Sequence, residues 1–275
     1  DIFISFASPY AGIVAKLLNI PHIIFLDTEH GPFLSWFDKN LSSHIITPSC
    51  FHKNLGHKQI TVNTYKEMAY LNPAYLWKDS KSIQKLKIPQ KDFILVRLVN
   101  HGSFHNIFSK KWENKSKFHF IHKLAKNYPI IISSEIPLPK NLQQYSYSSS
   151  PELLHQIINE AKMTVGESAT VATESSVLGV PAILLDNSNL GYVNEIKKRY
   201  QLIKQYKPES EELKKAEEYI HETMQNPSSH EHKTRRKKLL NDKIDITAFM
   251  VWFIQNYPES AKDMKENPDY QYRFK

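Results

Sequence analysis

The chain has 275 residues, with 36 Lys and Arg against 28 Asp and Glu, a formal charge of +8. At 41% hydrophobic and 23% charged residues the composition is globular, which excludes an intrinsically disordered chain. Its apolar runs, such as residues 130–132 and 181–185, fall far short of the roughly 20 residues that a membrane-spanning helix needs.

The length corresponds to about two domains. Residues 1–7 are apolar and read as a buried strand. No start Met, basic leader or cleavage site precedes them, so the sequence reads as a fragment whose first part is missing, with a processed protein as the alternative. Residues 10–18 read as a helix with Ala11, Val14, Ala15, Leu17 and Leu18 on its apolar side. Strands follow at 22–26 and 43–47, the latter closed by Pro48-Ser49. These strands are continuous apolar runs, as expected of a parallel sheet covered on both faces. Residues 73–90 are polar and Pro-bounded and read as a linker between residues 1–72 and a second domain at 91–243.

The second series places strands at 93–98, 130–133, 163–165, 182–185 and 202–204, with a short extended piece at 143–147. Helices are expected at 116–127, 151–161, 169–178, 190–200 and 210–225. Residues 244–256 form an apolar helix bearing Ile246, Phe249, Met250, Trp252 and Phe253. With the tail to residue 275, it is expected to pack back on the first domain. The fold class is α/β, with two Rossmann-like domains, the first incomplete.

The most informative stretch runs from Met163 to Pro181. A strand ends at Val165, Gly166 permits a tight turn, and Ser168 can cap a helix beginning at Ala169. The first amides of that helix sit at the positive end of its dipole and favour an anion. The small side chains of Ser168, Ala169 and Thr170 let a diphosphate approach the backbone. Glu174, one turn beyond Thr170, can accept the two hydroxyls of a ribose. A plain capped helix of an α/β sheet is the competing reading of the same residues.

This stretch resembles the nucleotide-sugar-binding segment of GT-B glycosyltransferases and of the related UDP-N-acetylglucosamine 2-epimerases. Their strand is followed by Asp-Ser-Gly-Gly, Gln-Glu-Glu-Ala and Leu-Gly-x-Pro. Here the corresponding residues are Glu167-Ser168-Ala169-Thr170, Ala172-Thr173-Glu174-Ser175 and Leu178-Gly179-Val180-Pro181. Both glycines are replaced, by Ala169 and Thr170. Further segments are similar to an uncharacterised GT-B-like family grouped with glycosyltransferases. They are Thr47-Pro48-Ser49-Cys50-Phe51, residues 65–71, Ser133-Ser134-Glu135 and Pro151-Glu152-Leu153-Leu154-His155. Members of that family begin with a βα segment that is absent here. The resemblance implies a nucleoside-diphosphate sugar, uridine-linked, as donor substrate, an unidentified acceptor and no cofactor. It implies a glycosyltransferase, with a 2-epimerase or a non-catalytic nucleotide-sugar-binding protein as alternatives. No Asp-x-Asp metal motif is evident.

Other candidates lie where strands end, the edge at which open α/β sheets bind ligands. Arg97 can hold a diphosphate bidentately or form a structural ion pair. Ser133, Ser134 and Glu135 end a strand on the same edge, as donor contacts or as a capped turn. The resemblance places His155 in a helix that often contacts the donor. Lys66 could face the donor phosphates or orient the linker, and Cys50 reads as a small buried residue. His101 and His105 lack a third metal ligand at sensible spacing.

The strand at 22–26 ends in Asp27-Thr28-Glu29-His30-Gly31, which resembles the epimerase His-x-Glu-Ala-Gly loop. That resemblance makes Glu29 the acid/base, with His30 or Asp27 orienting or replacing it. The competing reading has Asp27 and Thr28 capping a helix and Glu29 paired with a Lys.

The densest positive cluster runs from Lys233 to Lys238. It reads as a solvated helix face, or as a contact for an anionic membrane surface or a phosphate-bearing substrate. No zinc-finger spacing or RNA-binding motif supports nucleic acid. A single cysteine fits a reducing compartment, hence the cytoplasm, with the inner membrane surface as the place for such a contact.

Overall fold

A computed structural model describes residues 1–29, 32–76, 88–89, 92–100, 112–147, 153–226 and 230–275. The chain divides into two units. The first comprises Asp1–Asn72, Leu190–Glu195 and Leu240–Lys275; the second comprises Pro73–Asn189 and Ile196–Leu239.

In the first unit β1 (Phe3–Phe6), β2 (His22–Phe25), β3 (His44–Pro48) and β4 (Gln59–Val62) form a parallel sheet in that order. Helix α1 (Pro9–Leu17) starts where Ser8 accepts from the Ala11 amide and Pro9 supplies a preset first turn. Helices α2 (Pro32–Leu41) and α3 (Met68–Leu71) follow β2 and β4. Ile24, Leu26, Ile45 and Leu55 form a core cluster. The first strand is not the buried strand expected. It is an edge strand, paired only with β2, and its alternate side chains lie on a less covered face, Ile4 being 42% and Phe6 51% exposed.

The second unit carries β5 (Ile94–Leu98), β6 (Ile130–Ser134), β7 (Met163–Gly166), β8 (Ala182–Leu185) and β9 (Ile203–Tyr206). All are parallel, in the order β6-β5-β7-β8-β9. The chain leaves β5 for one neighbour, β6, and returns to the other side as β7. The point between β5 and β7 is therefore a topological switch, where such sheets leave a ligand crevice. Helices α4 (Asn114–Asn127), α5 (Lys140–Gln143), α6 (Leu154–Glu160) and α7 (Ala169–Leu178) lie between these strands. Ile94, Val96, Leu98, Ile121, Val165 and Ile183 belong to one apolar core.

The extended piece expected at 143–147 is instead the end of α5, a turn, and a single bridge from Ser146 to Ile132. The helix expected at 190–200 is α8 (Gly191–Glu195) followed by a π turn, Ile196–Tyr200. Helices α9 (Ser210–Gln225), α10 (His230–Asp242), α11 (Ile246–Gln255) and α12 (Glu259–Glu266) complete the chain, with a 3₁₀ segment at Pro268–Phe274.

Two boundary segments differ from the expected division. Residues 190–195 and 240–243 fall in the first unit, not the second. Backbone and side-chain bonds place them there. The Gly191 amide donates to Glu29 at 3.1 Å, and Lys243 Nζ donates to Asn63 Oδ1 at 2.9 Å and Glu195 Oε2 at 2.7 Å. The Ile244 amide donates to the Asn63 carbonyl at 3.1 Å. Most of the expected linker, residues 77–87 and 90, lies outside the described residues.

Candidate functional site

At the carboxyl edge of the second sheet, β7 runs into α7 through Gly166, Glu167 and Ser168. Ser168 has extended backbone and its Oγ accepts from the Val171 amide at 3.2 Å. The amides of Ala169 and Thr170 lie ahead of any intrahelical acceptor. Ser168, Ala169 and Thr170 are partly exposed, whereas every residue from Val171 to Leu178 is buried. The helix thus presents only its positive end to solvent, a geometry suited to an anion.

Gly166 plays a different part from the one expected. It is paired with Arg97 in the β5–β7 ladder. A Cβ there would lie 2.0 Å from the Arg97 carbonyl oxygen. Close strand approach, rather than turn freedom, requires glycine at this position.

Beside it lies an ion pair that the sequence reading missed. Lys117 Nζ on α4 is 2.9 Å from Glu167 Oε1, with both side chains buried. The Glu167 amide donates to the Arg97 carbonyl at 3.1 Å, which fixes this carboxylate at the switch point. Lys117 also lies 5.9 Å from the centre of the Trp112 ring. A lysine within a predominantly polar helix pattern gives no sign that it is buried.

The Arg97 guanidinium is engaged. Its Nη1 donates to Ser133 Oγ at 2.9 Å, and its Nη2 pairs with Glu135 Oε1. Glu135 Oε2 in turn accepts from the Asn100 amide at 2.9 Å. The ion-pair reading of Arg97 therefore holds, and Ser133 and Glu135 are its partners. Ser134 accepts from the Ile136 amide, closing the turn after β6. Glu174 does not stand open on α7. It is 5% exposed, and its Oε1 lies 3.0 Å from His155 Nε2. The structure thus brings together two residues that the sequence reading treated separately. His101 and His105 lie outside the described residues.

In the first unit, the carboxyl ends of β2, β3 and β4 surround a mainly apolar pocket. Phe25, Leu26, Ile46, Val62 and Ile246 line it, with Asp27 and Lys66 as its charged members. Asp27 Oδ2 is 2.6 Å from Lys66 Nζ, and Asp27 Oδ1 accepts from Thr28 Oγ1 at 3.0 Å. Asp27 and Thr28 bond to each other here rather than capping a helix, and Lys66 is held by Asp27. Glu29 Oε1 accepts from the amides of His52 and Gly191, each at 3.1 Å. Its Oε2 is buried with no partner among the described residues. Glu29 is thus clamped by backbone, not paired with a Lys. His30 lies outside the described residues.

Burial, reinforced by the Glu195 carboxylate, pushes the Cys50 thiol up to about 12, which leaves it no thiolate for nucleophilic work near neutrality. Tyr65, Glu195 and Lys243 form a further buried network: Tyr65 Oη donates to Glu195 Oε2, and Lys243 Nζ sits 4.3 Å from the centre of the Tyr65 ring. Among the described residues no three His, Cys, Asp or Glu side chains are grouped to hold a metal ion. Nor is any described helix long and apolar enough to cross a membrane.

No protein-family profile matches the chain, and no curated protein matches it in sequence. Solved structures do match it in three dimensions. The UDP-GlcNAc 2-epimerase of Methanocaldococcus jannaschii superposes with a TM-score of 0.59 at 16% identity, covering 94% of this chain and 77% of that one. The same enzyme in complex with UDP-GlcNAc and UDP gives a TM-score of 0.60 at 16% identity, over 83% of this chain and 70% of that one. The glycotransferase of kitacinnamycin gives 0.54 at 13% identity, over 93% of this chain and 76% of that one. At such identities the likeness concerns the fold. It is the two-unit, Rossmann-like α/β fold of GT-B type that the sequence led us to expect, shared by 2-epimerases and glycosyltransferases.

Proposed function

We propose that the chain is a nucleotide-sugar enzyme that binds a uridine diphosphate sugar at the N-terminus of α7 and transfers the sugar to an acceptor. The observation that carries this reading is the strand–turn–helix at the switch point. Gly166 is packed on Arg97, Ser168 caps α7, and only the first turn of that helix meets solvent. The diphosphate lies on the amides of Ala169 and Thr170, and Glu174, oriented by His155, accepts from the ribose. As the glycosidic bond breaks, negative charge grows on the departing diphosphate, and the fixed amide dipoles stabilise it.

An acceptor hydroxyl must lose a proton as it attacks. The expectation from resemblance was Glu29. We assign that role to Asp27 instead, because it lines the apolar pocket, its oxygens oriented by Lys66 and Thr28, whereas Glu29 does not line it and its unpartnered oxygen is buried behind two amide contacts. Glu29 is assigned to positioning the segment at His52 and the start of α8.

The second reading is a sugar-nucleotide 2-epimerase. The resemblance of residues 27–31 to the epimerase loop supports it. Incubation with UDP-sugars separates the two. Release of UDP that depends on an added acceptor supports transfer. A changed sugar without UDP release supports epimerisation. Binding without turnover removes both.

A further inference from the structure

The opposite, amino-terminal edge of the second sheet holds a basic cavity of about 370 Å³. Lys162, immediately before β7, and Pro181, immediately before β8, line it together with Asn159. Helix α10 supplies His232, Lys233 and Arg236. Among the described residues no Asp or Glu lines this cavity.

Two of its cations are held in place, Arg236 by neutral groups alone and Lys162 by a carbonyl and a carboxylate. Arg236 Nε donates to the Val177 carbonyl at 2.8 Å, and its methylenes pack on Gly179, where a Cβ would come within 2.6 Å of Cδ. That contact leaves both terminal nitrogens of the guanidinium for another acceptor. Lys162 Nζ donates to the Met224 carbonyl at 2.9 Å and pairs with Asp92 Oδ1 at 3.3 Å. Among the described residues no carboxylate pairs with Lys233 or Arg236. An adjoining cavity shares Lys162, Pro181 and His232 but contains Glu222 and Glu231, and Arg235 there is paired with Glu231. Arg235 of the adjoining cavity is thus compensated, whereas among the described residues Lys233 and Arg236 have no carboxylate partner. His232 and Lys233 also sit in the first turn of α10, where the helix dipole adds positive potential.

We propose that this cavity is a binding site for a phosphate group, separate from the N-terminus of α7, with Lys162, Lys233 and Arg236 as its ligands. The planar fork of Arg236 suits two oxygens of one phosphate, and the two ammonium groups neutralise the remainder of its charge. The volume lies at the small end of the roughly 300–1,000 Å³ usual for ligand pockets. A soluble phosphate ester and the headgroup of an anionic lipid share this chemistry.

The test is line broadening of inorganic phosphate in ³¹P NMR by the full chain, compared among wild type, Lys233→Glu, Arg236→Gln and Thr170→Asp. Binding should weaken by about tenfold or more in the first two variants, as loss of a charge-assisted contact implies. Thr170→Asp should remove only what the α7 site contributes and leave the broadening due to this cavity, so the outcome stands apart from that of the nucleotide site. Lys233 is exposed, so its variant stays informative should Arg236→Gln unfold α10. Equal broadening in all four proteins, or a loss confined to Thr170→Asp, overturns the proposal. Sedimentation with phosphatidylglycerol but not phosphatidylcholine vesicles, abolished by Lys233→Glu, supports it with a lipid headgroup as source. Broadening without sedimentation supports it with a soluble ester as source.

Discussion

Lys117 and Glu167 form an ion pair of 2.9 Å in which both side chains are almost fully removed from water. Such a pair is costly to break from one side, because the surviving charge stays buried. Lys117→Met should lower unfolding free energy by about 3–5 kcal/mol. Adding Glu167→Leu should recover most of that loss. Urea unfolding of the two single variants and the double variant forms the cycle that measures it.

Gly166 admits no side chain without displacing the β5 backbone. Gly166→Ala should destabilise the second unit by about 1–3 kcal/mol or more, the range for forced overpacking. Thermal unfolding followed by circular dichroism reads the change. A wild-type midpoint would mean that β5 and β7 separate easily at this position.

Thr170 stands at the open end of α7. Thr170→Asp puts a carboxylate where the diphosphate belongs and should weaken UDP binding by about tenfold or more, about 1.4 kcal/mol. Calorimetric titration of the folded variant checks it. Unchanged affinity would remove α7 from the donor site.

Asp27 and Glu29 are two residues apart, yet their surroundings assign them different work. Asp27→Asn should lower turnover by about two to four orders of magnitude with UDP affinity intact. Glu29→Gln should retain most turnover and lose about 1–3 kcal/mol of stability, since the amides of His52 and Gly191 lose a charged acceptor. The reverse pattern would return the base to Glu29.

His44 carries the clearest pH dependence. Burial, with the nearby cations Lys265 and Lys58 and with His57, lowers it to about 4. Its Nδ1 lies 3.1 Å from Tyr257 Oη and its Nε2 3.3 Å from Lys265 Nζ. The native state keeps this ring neutral while the unfolded chain takes up a proton below about 6.5. The unfolded state then binds more protons, so stability is complete above that value and falls as pH drops towards 4. His22, also lowered by burial, acts with the same sign. Denaturant unfolding at pH 7 and pH 4.5 should differ by about 1–3 kcal/mol through His44. His44→Gln should shrink that difference. An unaltered difference would mean that His44 is already solvated in the native state.

The sequence by itself determined the parallel α/β class and most of the second sheet. Its strands are apolar on both faces, and α7 is bounded by a capping Ser168 and by Gly179, whose φ of 84° is left-handed. Those signals are local, so they survive without the fold. The four-residue β4 and the helix α2 carry too little pattern to be read, and an edge strand looks like a central one until its neighbours are counted. Pairings across the chain were decided only by tertiary structure. Nothing near Lys117 in sequence points to Glu167, nor does anything near His155 point to Glu174. Arg97 could be given to phosphate or to an ion pair until Glu135 was placed beside it. The same holds for Asp27 and Glu29. Both are carboxylates at the end of one strand, and what divides them is that one lines a pocket while the other is clamped by amides from segments 23 and 162 residues away. Charge and composition are properties of a residue. Burial and partners belong to the packing around it, and packing is long-range.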